Sequence, residues 1–324
     1  MPARDRPAHA PQRWGMVLLL AALTALTTLT AITGCVAQVP QTVRIGLVAP
    51  FEGRWREMGY DIIPAARLAV REWAARVGPG GVAVELVAYD DQGDPTLAVE
   101  QARRLAADPA VRVVIGHWRD ETTRAALPVY AERGLPLVTF SAAEIDHSPG
   151  VYNLAPAEAA LREAARRWAE SQPEDWQIVD PWTDDVLQNA RLLRERAGQA
   201  NLIGGPGWGM GQFYALSAGL AEGTVFVTGA VLPSTDTLPA GVTVEGFTAG
   251  FTEGSLGAPP GLLSEAGYLA AWVAIERTLA DMGIEAGQTP ADGLAFDQTG
   301  RRINAPIALY RWQDGGPQPL TLLP

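Results

Sequence analysis

Few side chains in this 324-residue sequence are equipped for covalent or metal chemistry. There is one cysteine, Cys35, and three histidines, His9, His117 and His147, so neither an intrachain disulfide nor a His/Cys zinc site can be assembled. All 25 basic residues are arginine, which excludes Schiff-base lysines, phosphate-loop lysines and lysine general bases. Ser141, Asp146 and His147 lie close in sequence, but Asp146 and His147 are neighbours in a Pro-Gly-flanked loop and no Gly-x-Ser-x-Gly elbow is present. Asp90 and Asp91 follow an apolar run, where two acids are solvated or cap a turn rather than forming a glycosidase couple. The chain is therefore read as a non-enzyme, with no catalytic set, cofactor or metal site. A net charge of −11, with no basic run beyond the N-terminus, makes nucleic acid an unfavourable partner. Non-covalent recognition of a small molecule is the chemistry that remains.

Recognition needs a scaffold, and residues 82 to 140 supply its clearest part. Apolar runs end at Asp90-Asp91, at Gly116-His117 and at Phe140, with helical stretches between them. The pattern predicts β-α-β-α-β, an α/β unit with a parallel, doubly wound sheet whose strand ends open onto a crevice. Before it, Thr42 to Val48 reads as a strand, Gly53 to Gly59 as a polar loop and Ala65 to Arg76 as a helix. The pattern restarts after Pro173 with a strand Trp176 to Val179, a helix Asp184 to Ala197, a loop Gly204 to Gly209 and a strand Thr224 to Thr228. Residues 233 to 261 are rich in Gly, Pro and Thr and read as a linker with little regular structure. Leu263 to Met282 reads as a helix, because Tyr268, Trp272, Ile275, Leu279 and Met282 recur at steps of four and three. Phe296 and Ile307 to Trp312 read as terminal strands.

The N-terminus has the plan of a secretory signal. Arg4, Arg6 and Arg13 precede an apolar run from Trp14 to Ile32, which leads into Thr33-Gly34-Cys35. Small residues directly before the sole cysteine resemble a bacterial lipobox. That implies a lipoprotein signal peptide over residues 1–34, lipid on Cys35 and a tether over residues 35–41. The competing reading is an uncleaved membrane anchor, for which the run is nearly long enough. Both place the remainder outside the cytoplasmic membrane.

Taken in order, several segments carry a family resemblance: Ile45 to Pro50, Val84 to Pro95, Val114 to His117, Pro128 to Tyr130, Gly134 to Leu137, Ser141-Ala142, Gly204 to Gly209 and Phe296 to Gly315. The sequence resembles the type I periplasmic binding proteins of the branched-chain amino acid (leucine-binding) kind, the substrate-binding components of ABC transporters. The resemblance implies two doubly wound parallel-sheet lobes joined by a hinge and closing on a ligand. Lobe one would hold residues 42–154 plus about 233–290, and lobe two 155–232 plus about 291–324. The second lobe reads as reduced, since Ala169 to Pro173 leads almost directly to Trp176 and at least one β-α unit is missing.

The resemblance also points to ligand positions. In such proteins the loop after the Val-Ile-Gly strand end carries hydroxyls that hold the ligand carboxylate. Here it reads Trp118-Arg119-Asp120-Glu121-Thr122-Thr123, with acids where an anion would be repelled. Thr122 keeps a hydroxyl and an amide at a helix start, while Asp120 either meets the ligand or caps that helix. The next strand end reads Ser141-Ala142-Ala143-Glu144, which lacks the family's threonine and adds an acid. From the second lobe, Trp182 would stack on a ligand or pack in the core, and Asp184 would pair with an amine or cap the following helix. Trp118 and Trp208 are further aromatic candidates, with Trp208 alternatively plugging its lobe. Aromatic walls and surplus carboxylates favour a cationic or polyhydroxy ligand over an ordinary α-amino acid.

The expected function is an extracytoplasmic solute-binding lipoprotein. It would capture an amino acid, amine or polar solute for an ABC permease while held at the membrane by its lipid. The alternative is a ligand-sensing or protein-interaction module that keeps the fold and serves no permease.

Overall fold

Two five-stranded sheets, one after the other along the chain, organise the protein in a computed structural model that describes residues 41–78, 81–142, 150–198 and 201–323. The expectations for the signal peptide and Cys35, and for Ala143, Glu144, Asp146 and His147, lie outside the described residues. Thr42–Pro324 forms one compact unit.

The first sheet comprises β1 (Thr42–Ala49), β2 (Ala83–Asp90), β3 (Val111–Ile115), β4 (Leu137–Thr139) and β5 (Val151–Asn153), all parallel in the order 2-1-3-4-5. Its central strands are apolar on both faces because helices cover both. On one face Ile45, Leu47, Val113 and Ile115 meet α1 (Arg56–Val77) and a late helix, α8 (Ser264–Asp281). On the other, Val48, Val114 and Leu137 meet α2 (Pro95–Ala107) and α3 (Asp120–Arg133). Helix α2 starts where the sequence allows it: Asp94 accepts from Thr96 N at 2.7 Å and Leu97 N at 3.0 Å, with Pro95 in the first turn. The strand order turns about β1, so a crevice opens beyond the carboxyl ends of β1 and β3.

The second sheet runs β6 (Trp176–Ile178), β7 (Asn201–Gly204), β8 (Val225–Thr228), β9 (Ile307–Gln313) and β10 (Gly316–Leu323), in the order 10-9-8-7-6. Strands β6 to β8 are parallel, linked by α5 (Val186–Arg196) and the short α6 (Gly211–Leu216), while α4 (Glu158–Ser171) packs across β8. The sheet is completed by an antiparallel β9–β10 hairpin rather than by another crossover unit. Its turn residues Asp314 and Gly315 have φ of 54° and 78°, the pair of positive values a two-residue hairpin of type I′ requires. Pro317 and Pro319 hide β10 in the sequence; they are tolerated because β10 lies at the sheet edge.

Three further differences from the sequence reading matter. Helix α1 begins at Arg56, not Ala65, with Pro64 inside it. Gly59 allows the early turns to pack: a Cβ there would lie 2.4 Å from the Pro50 carbonyl oxygen. The stretch read as a linker contains α7 (Val244–Gly254), capped by Thr243 accepting from Gly246 N at 3.1 Å, with Phe247 and Phe251 buried. Apolar spacing, four residues apart, outweighs the glycine content there. Asp91, expected in solvent or as a cap, is fully buried.

The sheets are joined where β5 leads into α4, through residues following β8, and through residues preceding β9. Asn153 N donates to the Gly300 carbonyl at 2.7 Å and Arg302 N to the Asn153 carbonyl at 2.7 Å, tying two of these connections together. Gly229 lies against Pro156, where a Cβ would come within 2.2 Å of the proline ring.

Candidate ligand-binding site

A cavity of about 650 Å³ lies between the two sheets, at the crevice beyond β1 and β3. Helix α1 presents Glu57, Met58 and Asp61 to it, and the loop after β3 presents Trp118. The first turns of α3 add Asp120, Glu121 and Arg124, and the segment after β4 adds Phe140 and Ala142. The second lobe faces these with Trp182, Asp184, Met210, Tyr214 and Trp312.

The structure divides the sequence-derived candidates. Trp118, Asp120, Ala142, Trp182 and Asp184 line the cavity. Trp118 stacks on Phe140, ring centroids 6.1 Å apart at 25°, and its indole N–H has no acceptor among the described residues. Trp182 is a wall: the Arg162 guanidinium lies 4.2 Å from its ring centroid. Thr122 is completely buried and its hydroxyl donates to the Arg119 carbonyl at 3.0 Å. Ser141, 1% exposed, donates its hydroxyl to Asp120. Neither hydroxyl is directed at a guest. Trp208 does not line the cavity. It is buried, stacked on Phe213 at 4.9 Å, and its carbonyl accepts from Trp312 Nε1 at 2.8 Å, so it plugs the second lobe.

The capping readings of Asp120 and Asp184 are corrected as well. Asp120 is the first residue of α3 rather than its cap. The cap of α5 is Asp185, which accepts from Leu187 N at 2.9 Å and Gln188 N at 3.2 Å. That leaves Asp184 for a cross-cleft contact. Arg119 Nε donates to Asp184 Oδ2 at 2.9 Å and Arg119 Nη2 to Asp184 Oδ1 at 2.8 Å, a two-pronged pair between the lobes. The guanidinium is 4% exposed, lies 3.7 Å from the Trp55 ring centroid and also reaches the Gly93 carbonyl and Glu121. Burial opposes its charge, but the contacts with Asp184 and Glu121 prevail and raise its pKa. Two further contacts span the cleft: Trp55 Nε1 donates to the Asp184 carbonyl at 3.2 Å, and Glu57 accepts from Gly211 N at 2.7 Å and Gln212 N at 3.2 Å.

A buried polar network sets the loop that carries Trp118 and Arg119. His117 Nδ1 lies 2.7 Å from Asp91 Oδ2 and His117 Nε2 lies 3.0 Å from the Tyr130 hydroxyl, while the His117 carbonyl accepts from Thr123 and Thr139 hydroxyls, each at 2.8 Å. All partners are satisfied, so the loop conformation is fixed from beneath. Among the described residues no group of three or more His, Cys, Asp or Glu is arranged to hold a metal ion, and no helix is long and apolar enough to cross a membrane.

Sequence reasoning missed Glu57, Asp61, Arg119, Tyr214 and Trp312. Asp61 is the most consequential. It accepts from Leu263 N at 3.1 Å, and a Cβ on Gly261 would lie 2.3 Å from Asp61 Oδ2, so the loop before α8 wraps closely around the carboxylate. Burial, opposed by the amides of Leu263 and Gly261 and reinforced by Glu57, pushes its pKa up to about 7. The i,i+4 spacing of Glu57 and Asp61 was the available signal, and it becomes visible only once α1 is extended past Pro64.

Comparison with known proteins gives this geometry its context. Residues 42–181 match the family described as periplasmic binding protein. The match covers 140 of the 324 residues, from β1 through β6. Within the binding-protein family, the Leu/Ile/Val-binding protein of Escherichia coli is 28% identical over 112 residues, 33% of this chain and 30% of that protein. A leucine-, isoleucine-, valine-, threonine- and alanine-binding protein of Pseudomonas aeruginosa is 32% identical over 101 residues, 31% of this chain and 27% of that protein. The match thus spans under a third of these curated relatives' length. The fold similarity reaches further. A leucine-binding protein LivK from Thermotoga maritima superposes with a TM-score of 0.69 at 15% identity, covering 87% of this chain and 98% of that one. The LivJ substrate-binding protein of Streptococcus pneumoniae, in complex with isoleucine, gives 0.62 at 16% identity, covering 86% and 99%. The fold of the chain is that of the type I periplasmic binding proteins.

Proposed function

We propose that the protein is an extracytoplasmic solute-binding lipoprotein that captures a small ligand between its lobes and delivers it to an ABC permease. The observation that carries this is the cavity itself: a concave, largely apolar site between two sheets, with convergent polar groups and cross-cleft contacts at Arg119–Asp184 and Glu57–Gly211. The relatives named for binding leucine, isoleucine and valine, and the signal-like N-terminus ending in Cys35, support the same reading. Closure is the step a permease would recognise, since it brings the lobes into one fixed relation.

The test is thermal unfolding of the purified protein with amino acids, amines, amides and sugars. A bound ligand stabilises by RT ln(1 + [L]/Kd), so a saturating member of one class should raise the midpoint by several degrees. Uniformly flat results with a cooperatively folded protein would contradict the receptor reading. They would favour a module that keeps the fold for protein interaction.

A further inference from the structure

Resting on the receptor reading above, we infer that the guest is a small organic cation without a carboxylate: an ammonium on a branched or aromatic body, carrying at most a neutral acceptor such as an amide oxygen. Among the described residues the cavity walls hold six carboxyl side chains, Glu57, Asp61, Asp120, Glu121, Glu158 and Asp184, against the single guanidinium of Arg124. Most of these acids already have cationic partners. Asp184 and Glu121 hold Arg119, Glu158 holds Arg162 at 2.7 Å, and Asp120 lies 4.0 Å from Arg124. Asp61 and Glu57, one helical turn apart, are different. Their polar contacts are backbone N–H groups, those of Leu263 and Gly261 for Asp61 and those of Gly211 and Gln212 for Glu57. Among the described residues no guanidinium is placed against Asp61. A guest ammonium supplies the positive charge this pair lacks, in surroundings where burial strengthens the attraction.

The same walls disfavour a carboxylate. The Ser141 hydroxyl is directed at Asp120 and the Thr122 hydroxyl at the Arg119 carbonyl, so neither is presented to an anion. Arg119, the buried cation beside the cleft, is held by Asp184. An independent mark of a guest is the Trp118 indole N–H, a donor in a residue 5% exposed that lines the cavity and, like that of Trp182 across the cleft, has no acceptor among the described residues. Buried donors are seldom left unpaired, and a neutral carbonyl or hydroxyl oxygen on the guest would satisfy it. The stacked Trp118–Phe140 pair and Trp182 provide flat apolar surface for the body of the cation.

Four compounds sharing one branched carbon skeleton isolate the charge: leucinamide, 3-methylbutylamine, leucine and 4-methylpentanoate, each titrated calorimetrically into the protein. Leucinamide and 3-methylbutylamine are expected to bind, leucine about tenfold or more weaker than leucinamide, and 4-methylpentanoate not measurably. In Asp61→Asn the amide oxygen still accepts the Leu263 N–H, so a thermal midpoint at or above wild type is expected. Leucinamide affinity should fall about thirtyfold, on the order of 2 kcal/mol. Leucine binding as tightly as leucinamide, or unchanged leucinamide affinity in folded Asp61→Asn, overturns the inference. If leucine binds and the amines do not, the receptor reading stands and the cation inference falls. If nothing in this series or the thermal panel binds, both fall.

Discussion

Around the cavity the first lobe contributes Glu57, Asp61, Asp120, Glu121 and Arg124, whereas the second contributes chiefly Trp182, Met210, Tyr214 and Trp312, with Glu158 and Asp184 as its acids. The scaffolds differ in the same sense. The first sheet is entirely parallel and carries its polar groups at strand ends and helix starts, held by the Asp91–His117–Tyr130 network. The second is short-stranded, finished by an antiparallel hairpin and filled by stacked rings: Trp208 on Phe213 and Phe226 on Tyr310. The difference teaches that the first lobe supplies most of the charged groups at the cavity, while the second supplies apolar surface and the acid of a clamp. The clamp is the Arg119–Asp184 pair, which ties a first-lobe cation to a second-lobe acid.

The comparison can be broken most severely by emptying the second lobe. Trp208→Ala removes a ring that is 2% exposed and should cost about 3–5 kcal/mol, read by denaturant unfolding. The next effect is on the clamp. Arg119→Met leaves Asp184 unpaired and is expected to cost on the order of 2–3 kcal/mol, less than a fully buried pair because Asp184 stays 26% exposed. Small-angle scattering should show a larger radius of gyration than wild type; an unchanged radius would mean that the pair does not hold the lobes.

A pH titration compares two carboxyls that burial raises, Asp61 and Glu265. Burial pushes both Asp61 and Glu265 up to about 7; Glu57 faces Asp61, while Thr237 and Arg302 partly offset the shift at Glu265. In the unfolded chain both groups lose their protons near pH 4, so between about pH 4 and 7 the native state binds more protons and stability falls as pH rises. Without ligand, the thermal midpoint should drop by several degrees from about pH 5 to about pH 8 and level off above. Asp61→Asn should flatten part of that slope. The smallest expected change is Glu121→Gln. Its carboxylate is 62% exposed, so losing this contact with Arg119 should shift stability by less than about 0.5 kcal/mol.

Much of the first lobe was legible because its apolar runs and helix signals agree. Asp94-Pro95 starts α2, and Gly134 ends α3 in the left-handed conformation. The late helix α8 was legible for the same reason, its apolar residues keeping helical spacing. What stayed hidden depended on contacts distant in sequence. Pro64 and Gly59 mask the early turns of α1, and so masked Glu57 and Asp61, because the close approach to Pro50 that requires glycine is tertiary. Arg119 looked like one charge in a polar loop; its role is set by Asp184, 65 positions away. Thr122 and Ser141 had suitable hydroxyls, but only the fold shows that local acceptors occupy them. Trp208 illustrates the limit of residue type: a tryptophan among glycines packs inward because Gly204 leaves room for its ring.

Tryptophan emission offers the most direct test that the cavity is a ligand site, because Trp118, Trp182 and Trp312 all line it. Titration with leucinamide is predicted to give a saturable change in wild type that is weakened in Asp61→Asn and insensitive to 4-methylpentanoate. A response that never saturates, for leucinamide and leucine alike, would contradict the account.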